Sequence, residues 1–289
     1  MVPRQRILVT GGAGFLGLWI VRGLLHGGAE VRSMDGRRPD PGMLRALSIG
    51  HGDVEWIEGS VEDRAGVAAA VGRCDAVVHA AALDLPASER DPGRCLSVNG
   101  TGSMNVFAAS AEADVRRLLF VSSAAASGQP PSVYGAVKLV AEKALERVAR
   151  DSAMEIRIVR PFVILGVGRV AGISAGLTAA CQAAASGHDF LIPFSGASWI
   201  DPVEDLAAEI ATWALTGVPA AGQYRSIAAD FGQAAVILSR LGDCSIGCTG
   251  EPLPAFVPVA DADIRRDEQA VAKSLADCVG HFREIATRV

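Results

Sequence analysis

Three residues of the chain could together move a proton to or from a bound molecule. Tyr134 and Lys138 are four positions apart in a stretch with helical periodicity, so they would share one face of a helix. A free tyrosine has a pKa near ~10 and is a poor base at neutral pH, but a neighbouring ammonium favours the phenolate. Ser123 follows an apolar run, where its hydroxyl could hold a substrate oxygen. The combination favours general acid–base chemistry at a hydroxyl or carbonyl group, although Tyr-x-x-x-Lys alone also occurs by chance on exposed helices.

Three glycines, Gly11, Gly14 and Gly17, lie at intervals of three residues between a strand pattern and a helix pattern. The first suits a tight turn, the second a close approach of the backbone to a pyrophosphate, and the third close packing of the helix. Asp35 ends the next predicted strand, where a carboxylate can accept both hydroxyls of an adenosine ribose and would repel a 2′-phosphate. NAD is therefore the predicted cofactor. The two arginines shortly after Asp35 leave NADP open as the less favoured alternative.

The elements that must position these residues follow from the hydrophobic pattern of the first 160 residues. Short runs that are apolar on both faces alternate with amphipathic stretches, as in a parallel sheet covered by helices on each side. Right-handed crossovers turn this repeat into an α/β fold with a doubly wound parallel sheet, the Rossmann arrangement. The predicted strands are 6–10, 30–35, 54–58, 76–79, 118–122 and 155–160, and the predicted helices are 14–27, 61–71, 94–112 and 134–150.

The regular alternation of predicted strands and helices ends after Pro161. Helices are predicted at 173–186 and 202–215 and a strand at 223–228, followed by a mixed tail with a helix, a Pro- and Gly-punctuated loop and a final amphipathic helix. The predicted domains are an NAD-binding Rossmann domain over 1–164, to which 199–230 returns, and a small discontinuous substrate-binding lobe formed by 165–198 and 231–289.

Composition narrows the possible partners. The 289 residues carry a formal net charge of -5 and no block of Lys and Arg, which argues against nucleic acid. No run approaches the roughly 20 apolar residues of a membrane span, and the N-terminal apolar run is too short for a signal peptide, so a cytoplasmic protein without a membrane partner is expected. Six scattered cysteines fit reduced thiols, and no metal site is predicted because the pair at 244 and 248 has no matching second pair.

Seven segments carry a resemblance to a known family. They are TGGAGFLG (10–17), DAVVHAAA (75–82), DPGRCLSVNGTGSMNV (91–106), FVSSAAASG (120–128), YGAVK (134–138), RPFVILGVG (160–168) and PVEDLA (202–207). Taken together, they resemble the extended short-chain dehydrogenases/reductases, and within them the NAD-dependent epimerase/dehydratase family, from residue 6 to about residue 230.

The resemblance implies roles for individual residues. It implies a catalytic role for Ser123, Tyr134 and Lys138 and a structural role for His79. Members of the family pair through helices similar to those predicted at 94–112 and 134–150, so a homodimer is expected. It implies cofactor binding by Gly11, Gly14, Phe15, Leu16, Gly17, Asp35, Ser60, Val61, Ala80, Ala81, Ala82, Asn99, Ser122, Tyr134, Lys138, Pro161 and Val163.

Departures from the family pattern refine the predicted function. Ala124 and Ala125 stand where members that dehydrate or decarboxylate nucleotide sugars carry acidic residues, which disfavours those reactions. Val163 and Leu165 replace a common asparagine and tyrosine, so polar contacts for a sugar nucleotide are reduced.

The predicted function is NAD-dependent hydride transfer at a secondary alcohol or ketone, by an oxidoreductase or an epimerase. A sugar or sugar nucleotide is the favoured small-molecule substrate. A reductase or dehydrogenase of a small apolar alcohol (steroid-, flavonoid- or polyketide-like) and a non-catalytic NAD(P)-sensing scaffold remain alternatives. The identity of the substrate and the direction of the reaction stay open.

Overall fold

The first part of the chain alternates strands with helices, as its hydrophobic pattern predicts. The computed structural model describes residues 4–127, 132–219, 224–253 and 257–287. Its first six strands are β1 (Arg6–Thr10), β2 (Glu30–Asp35), β3 (Val54–Glu58), β4 (Ala76–His79), β5 (Arg117–Val121) and β6 (Glu155–Val159). The first four have the predicted bounds, and the last two differ from them by one residue.

These strands form one sheet in the order β3-β2-β1-β4-β5-β6, and every neighbouring pair is parallel. The order confirms the predicted doubly wound Rossmann sheet. It reverses between β1 and β4, and in such sheets ligands bind outside the carboxyl ends of the strands at this switch point. Gly11 follows β1 and Ala80 follows β4, so the glycine loop and the alanines lie at that edge.

The helices of this part are α1 (Phe15–His26), α2 (Pro41–Ala46), α3 (Arg64–Val71), α4 (Leu85–Arg90), α5 (Pro92–Cys95), α6 (Gly102–Glu112) and α7 (Val133–Arg150). A 3₁₀ turn covers Ala124–Ser127 between β5 and α7. The helix predicted from residue 61 begins only at Arg64, because the Asp63 side chain caps it by accepting a hydrogen bond from the Ala65 N–H at 3.1 Å.

The helix predicted over 94–112 is continuous in the structure, but its middle is π-helical rather than α-helical. α5 ends at Cys95, a π-helical segment runs over Leu96–Thr101, and α6 begins at Gly102. A π segment widens one helical turn, and here the side chain of Asn99 within it bonds to the loop after β4. A Cβ atom on Gly102 would lie 2.5 Å from Val61 Cγ2, so a glycine is needed where α6 meets Val61.

Helices cover the sheet within this unit. On one side, Phe107 of α6 meets Phe120 of β5 in a T-shaped contact with ring centroids 5.3 Å apart, and both rings are fully buried. Full burial of an aromatic side chain stabilises a fold by about 1.5–3 kcal/mol. A later helix, α9 (Val203–Thr216), returns to this unit, where the Arg117 Nε donates to the carbonyl of Ala214 at 2.9 Å.

The chain divides into two compact units, one comprising Met1–Arg160 with Glu204–Tyr224 and the other Pro161–Val203 with Arg225–Val289. In the second unit, β9 (Ala197–Pro202) pairs with β7 (Val163–Leu165) in parallel and with β10 (Ile227–Asp230) antiparallel. Strand β8 (Phe190–Ile192) pairs with β11 (Ile246–Cys248) in parallel. The assignment of cofactor binding to one part and substrate binding to the other stays a prediction. The elements of the second unit are β7 (Val163–Leu165), α8 (Gly176–Ala185), β8 (Phe190–Ile192), β9 (Ala197–Pro202), β10 (Ile227–Asp230), α10 (Phe231–Gly242), β11 (Ile246–Cys248) and α11 (Asp261–Thr287).

The strand predicted at 223–228 is displaced toward the C-terminus. Residue 223 lies outside the described residues, and β10 begins only at Ile227, opposite Ile200 of β9. Arg225 does not pair with a strand. Its guanidinium instead binds the carboxylate of Asp267 on α11, at 2.6 and 3.0 Å.

Two further properties concern the described residues as a whole. Their helices include none that combines the length and the apolar character needed to cross a membrane. Within the same ranges, no group of three or more His, Cys, Asp and Glu side chains is placed to hold a metal ion. All six cysteines fall in these ranges and are free thiols.

Candidate active site

The glycine loop between β1 and α1 is closely packed. Gly11 has φ +76°, and a Cβ atom there would lie 2.6 Å from the backbone nitrogen of Ala81. A Cβ atom on Gly17 would lie 2.1 Å from the carbonyl oxygen of Gly11, so the first turn of α1 also needs a glycine. Gly14 is the N-cap of α1 and offers no side chain to cap the helix. The loop therefore keeps a backbone surface at a helix N-terminus, as a pyrophosphate site requires.

A cavity of about 360 Å³ lies beside this loop. Eight of the residues predicted to bind the cofactor line it, and they come from the ends of β1, β2, β3 and β4. Seven other lining residues were not predicted to bind the cofactor. Met34, Gly36, Arg37, Gly59 and Leu83 lie within two positions of predicted residues, and Arg94 and Val98 lie in the segment 91–106, where only Asn99 was assigned a cofactor contact. The full lining is Gly11, Gly14, Met34, Asp35, Gly36, Arg37, Gly59, Ser60, Val61, Ala80, Ala81, Ala82, Leu83, Arg94 and Val98.

Asp35 lies at the end of β2 and lines this cavity. Its two carboxylate oxygens accept hydrogen bonds from the backbone N–H groups of Ala13 and Arg37, each at 3.1 Å. Burial raises the pKa of Asp35, while these two N–H groups act to lower it. The carboxylate is thus held next to the glycine loop, where the sequence predicts a contact with ribose.

Ser60 and Val61 follow β3 and form another wall of the cavity. The Ser60 hydroxyl donates to Glu62 Oε2 at 2.9 Å, and Glu62 also pairs with Arg94 at 2.8 Å and with the hydroxyl of Ser97. Val61 is buried against Gly102. Glu62 and its partners therefore connect the segment after β3 to the α5 and π-helical region.

Asn99, predicted to lie beside the cofactor, is fully buried and is not among the lining residues of the cavity. Its side chain accepts a hydrogen bond from the Leu83 N–H at 2.7 Å and donates to the Leu83 carbonyl at 3.1 Å. Leu83 itself lines the cavity. The amide therefore fixes the loop that begins with Ala80.

His79, to which the sequence gives a structural role, is fully buried at the end of β4. Its two ring nitrogens lie 2.6 Å from the hydroxyl of Thr10 and 2.9 Å from that of Ser103. Burial, with a smaller contribution from Lys138, lowers the pKa of His79 to about 3. The ring is neutral at physiological pH and joins β1, β4 and α6.

Tyr134 and Lys138 lie one turn apart near the start of α7, as predicted. Ser132 caps this helix by accepting a hydrogen bond from the Gly135 N–H at 2.9 Å. The Lys138 Nζ atom lies 5.9 Å from the centroid of the Tyr134 ring and donates to the Val121 carbonyl at 2.9 Å. Lys138 is only 1% exposed, and burial lowers its pKa to about 8. A buried cation thus lies next to the phenol.

Ser123 follows β5 and is half-buried. Its hydroxyl oxygen accepts a hydrogen bond from the Ala125 N–H at 3.2 Å. The small residues after it are buried in the 3₁₀ turn, which packs directly on α7: a Cβ atom on Gly135 would lie 2.2 Å from the carbonyl oxygen of Ala125. The alanines at 124–126 therefore allow the turn that carries the serine to contact the helix that carries the tyrosine.

The remaining predicted residues are placed as follows. Phe15 and Leu16 form the first turn of α1, next to the cavity-lining Gly14. Ser122 is buried, and its hydroxyl donates to Glu142 Oε1 at 2.5 Å. Pro161 and Val163 belong to the second unit, where the Val163 side chain packs in the hydrophobic core. Cofactor contacts of these residues stay predictions.

The first unit thus defines a class: an α/β protein with a dinucleotide-binding Rossmann fold and a tyrosine–lysine pair on the helix after its fifth strand. The family model for the NAD dependent epimerase/dehydratase family matches residues 7–223, and the chain belongs to this family. This confirms the family and the NAD dependence predicted from the sequence.

Relatives of the chain act on different substrates. It is 29% identical over 192 residues to cinnamoyl-CoA reductase 1 of Petunia hybrida, covering 57% of this chain and 56% of that protein. It is 33% identical over 184 residues to a 3-beta-hydroxysteroid dehydrogenase of Mycolicibacterium neoaurum, covering 56% and 48%. The matched part therefore spans about half the length of these curated relatives.

Solved structures show the same fold. The UDP-glucose 4-epimerase of Thermus thermophilus, in complex with NAD, superposes with a TM-score of 0.77 at 21% identity, covering 96% of this chain and 99% of that one. The UDP-N-acetylglucosamine 4-epimerase of Methanobrevibacter ruminantium superposes with a TM-score of 0.75 at 20% identity, covering 97% and 99%.

Proposed function

We propose that this protein is an NAD-dependent oxidoreductase or epimerase that transfers hydride at a secondary alcohol or ketone. One observation carries the proposal. A single compact unit combines a cavity at the switch point of its sheet, lined by the glycine loop and Asp35, with a buried lysine against the ring of Tyr134. Dinucleotide binding and proton transfer need these two features together.

The residues present fit a dinucleotide. Gly14, at the N-cap of α1, carries no side chain that would cover the helix N-terminus, so the loop offers its backbone to a phosphate group. Gly11, Gly14 and the alanines at 80–82 would hold the cofactor along the cavity, and Asp35 would accept the ribose hydroxyls. A dinucleotide held there would supply the hydride acceptor for the alcohol carbon and, in its reduced form, the hydride donor for the ketone.

The chain's own residues supply the proton chemistry. Tyr134, as phenolate, accepts the hydroxyl proton while the carbonyl forms, and as phenol it returns the proton in the reverse direction. Lys138 has a pKa of about 8 and is therefore mostly charged at pH 7, where it stabilises the phenolate. Ser123 hydrogen-bonds the substrate oxygen so that the proton lies within reach of Tyr134. Tyr134 and Ser123 are the acid–base and orienting groups of the proposed reaction.

For the substrate, we favour a sugar or sugar nucleotide, which agrees with the epimerases of the same fold. Ala124 and Ala125 are buried and carry no acidic group, which supports hydride transfer over dehydration. A small apolar alcohol is the second candidate. It is favoured by Val163 and Leu165, which stand where the family commonly carries an asparagine and a tyrosine, and by the reductase and steroid dehydrogenase relatives.

Replacing Tyr134 by Phe tests the proposed chemistry. The substrates are a panel of UDP-sugars and hydrophobic secondary alcohols, followed by absorbance of reduced nicotinamide and by product stereochemistry. Removing the phenolic oxygen should lower turnover by about 10²–10⁴-fold and leave NAD binding within a few fold. Tyr224→Phe, which changes the other tyrosine of the chain, is the matched control. Wild-type turnover in Tyr134→Phe would contradict the assignment and favour the non-catalytic sensing scaffold.

We also propose that the chain forms a homodimer in the cytoplasm. Leu96 of the π-helical segment is 58% exposed and Val140 of α7 is 66% exposed, which supports a contact between copies along the helices predicted to pair. Light scattering should give twice the chain mass for the wild type and the mass of one chain for Val140→Glu; a wild-type monomer would exclude the dimer. Cell fractionation should recover the protein in the cytoplasmic fraction.

A further inference from the structure

Helix α7 holds the end of β5 at two consecutive residues. The ammonium of Lys138 donates to the carbonyl of Val121 at 2.9 Å, and the Ser122 hydroxyl donates to Oε1 of Glu142 at 2.5 Å. Lys138 and Glu142 are one helical turn apart, so they face the same strand end. The next residue along the chain is Ser123. The position of Ser123 therefore depends on side chains of two successive turns of α7.

Glu142 is also bound from the opposite direction. Arg160 donates to both carboxylate oxygens, from Nε at 2.8 Å and from a terminal nitrogen at 2.5 Å, and its other terminal nitrogen donates to the Ser127 hydroxyl at 2.7 Å. Glu142 is 2% exposed. Burial raises its pKa, but the hydrogen bonds from Arg160 and Ser122 outweigh this effect and hold the pKa below its ordinary value. A fully buried carboxylate is thus ionised at neutral pH.

The negative charge of Glu142 affects the protonation state of Lys138. The ammonium lies 4.7 Å from the centroid of the Phe120 ring, in surroundings that favour the neutral amine. The titratable groups around it are Tyr134 and Glu142 on α7, Cys95 on α5 and His79 on β4. Burial lowers the pKa of Lys138, and Cys95 and, to a smaller extent, Glu142 act to raise it, whereas His79 is neutral. Arg160, which binds the carboxylate of Glu142, offsets part of the negative electrostatic potential that Glu142 produces at Lys138.

We propose that Glu142 is a positioning residue of this site: it fixes Ser123 through Ser122, and its charge contributes to keeping Lys138 protonated beside Tyr134. The inference rests on the proposed function, because Ser123, Tyr134 and Lys138 matter as a set only if they act on a substrate. Its test needs no substrate, so it can fail while the proposed function stands, and the reverse also holds.

The protonation of Lys138 can be observed directly. The chain has three lysines, and the other two, Lys143 and Lys273, are exposed, so lysine labelled with carbon-13 gives three NMR signals that Lys138→Arg assigns. The wild-type midpoint is expected near pH 8. Glu142→Gln keeps an acceptor for Ser122 but removes the charge, and should lower the ratio of charged to neutral Lys138 roughly threefold at that pH.

Two further variants separate the field of Glu142 from a general loosening of the site. Arg160→Gln removes the cation that offsets the carboxylate, so the midpoint of Lys138 should rise. Glu142→Asp keeps the charge and should restore most of the wild-type titration. Glu146→Gln is the matched control, since Glu146 lies on the same helix and pairs with the exposed Lys143. An unchanged midpoint in Glu142→Gln, or midpoints that rise in both Glu142→Gln and Arg160→Gln, would overturn the electrostatic part of the proposal.

The positioning part has its own test. Ser122→Ala removes the hydrogen bond to Glu142 and leaves the charge in place. Amide hydrogen exchange at Ala125 and Ala126, in the turn that follows Ser123, should then become faster, while the titration of Lys138 stays as in the wild type. Wild-type exchange rates in Ser122→Ala would show that Glu142 does not position this segment.

Discussion

Replacing Lys138 by Met should change how the stability of the protein depends on pH. Burial lowers the pKa of Lys138 from 10.5 to about 8, and this difference of about 2.5 corresponds to roughly 3 kcal/mol. The unfolded chain binds the proton more tightly, so the charged lysine destabilises the fold by this amount below pH 8. The penalty disappears as the pH rises from 8 to 10.5. The wild type should therefore gain roughly 3 kcal/mol relative to Lys138→Met over this interval.

Urea unfolding of both proteins across pH 7 to 10.5 measures this difference. The hydrogen bond from Lys138 to the Val121 carbonyl is also lost in the variant, but its contribution, on the order of 1 kcal/mol, moves the whole curve without changing its slope. Lys143→Met on the same helix is the control, because the side chain of Lys143 is 64% exposed and its substitution removes no buried charge. A difference for Lys138→Met that stays constant across the range would refute the reasoning.

Two other substitutions should have defined effects. Gly17→Ala places a Cβ atom 2.1 Å from the Gly11 carbonyl oxygen, so the affinity for NAD, measured by calorimetry, should fall by at least about tenfold. Gly280→Ala is the control, because nothing lies within 4 Å of its Cβ atom and its affinity should equal that of the wild type. Equal affinities of the two variants would show that the loop does not hold the cofactor. Burial would raise the pKa of Asp267, but hydrogen bonds from Arg225 and the Ala228 N–H hold it well below its ordinary 3.8, so its stabilisation is present above about pH 4 and lost on acidification. Asp267→Asn should cost roughly 2 to 3 kcal/mol at pH 7 and less in acid, measured by thermal unfolding, and an equal loss at both pH values would contradict the ion-pair account.

Much of the sheet could be predicted because its strands carry local signals. Runs such as 6–10 and 76–79 are apolar on both faces, and glycines or polar residues end them, so their bounds depend on near neighbours in sequence. The same applies to Gly11, Gly17 and Asp35, whose spacing relative to the strands places them at one edge of the sheet. For these residues, the local pattern and the tertiary environment agree.

The features that the sequence did not predict depend on distant contacts. The π-helical segment is bonded to the loop after β4 through Asn99 and Leu83, which are 16 positions apart. Arg94 lines the cavity because it pairs with Glu62 after β3, a contact between residues 32 positions apart that the segment 91–106 does not reveal. The spacing of Glu142, four residues after Lys138, places both on the buried side of α7 and is a weak indication that Glu142 belongs to the site. Its pairing with Arg160 could not be predicted from spacing.

The contact between Gly135 and the carbonyl of Ala125 has a mechanical consequence. With so little space between the two backbones, the turn and the helix cannot slide past one another, and a displacement of one is transmitted to the other. Ser123 and Tyr134 therefore move together as one rigid unit. Whatever molecule enters must adapt its own shape to a spacing that the backbone has already set.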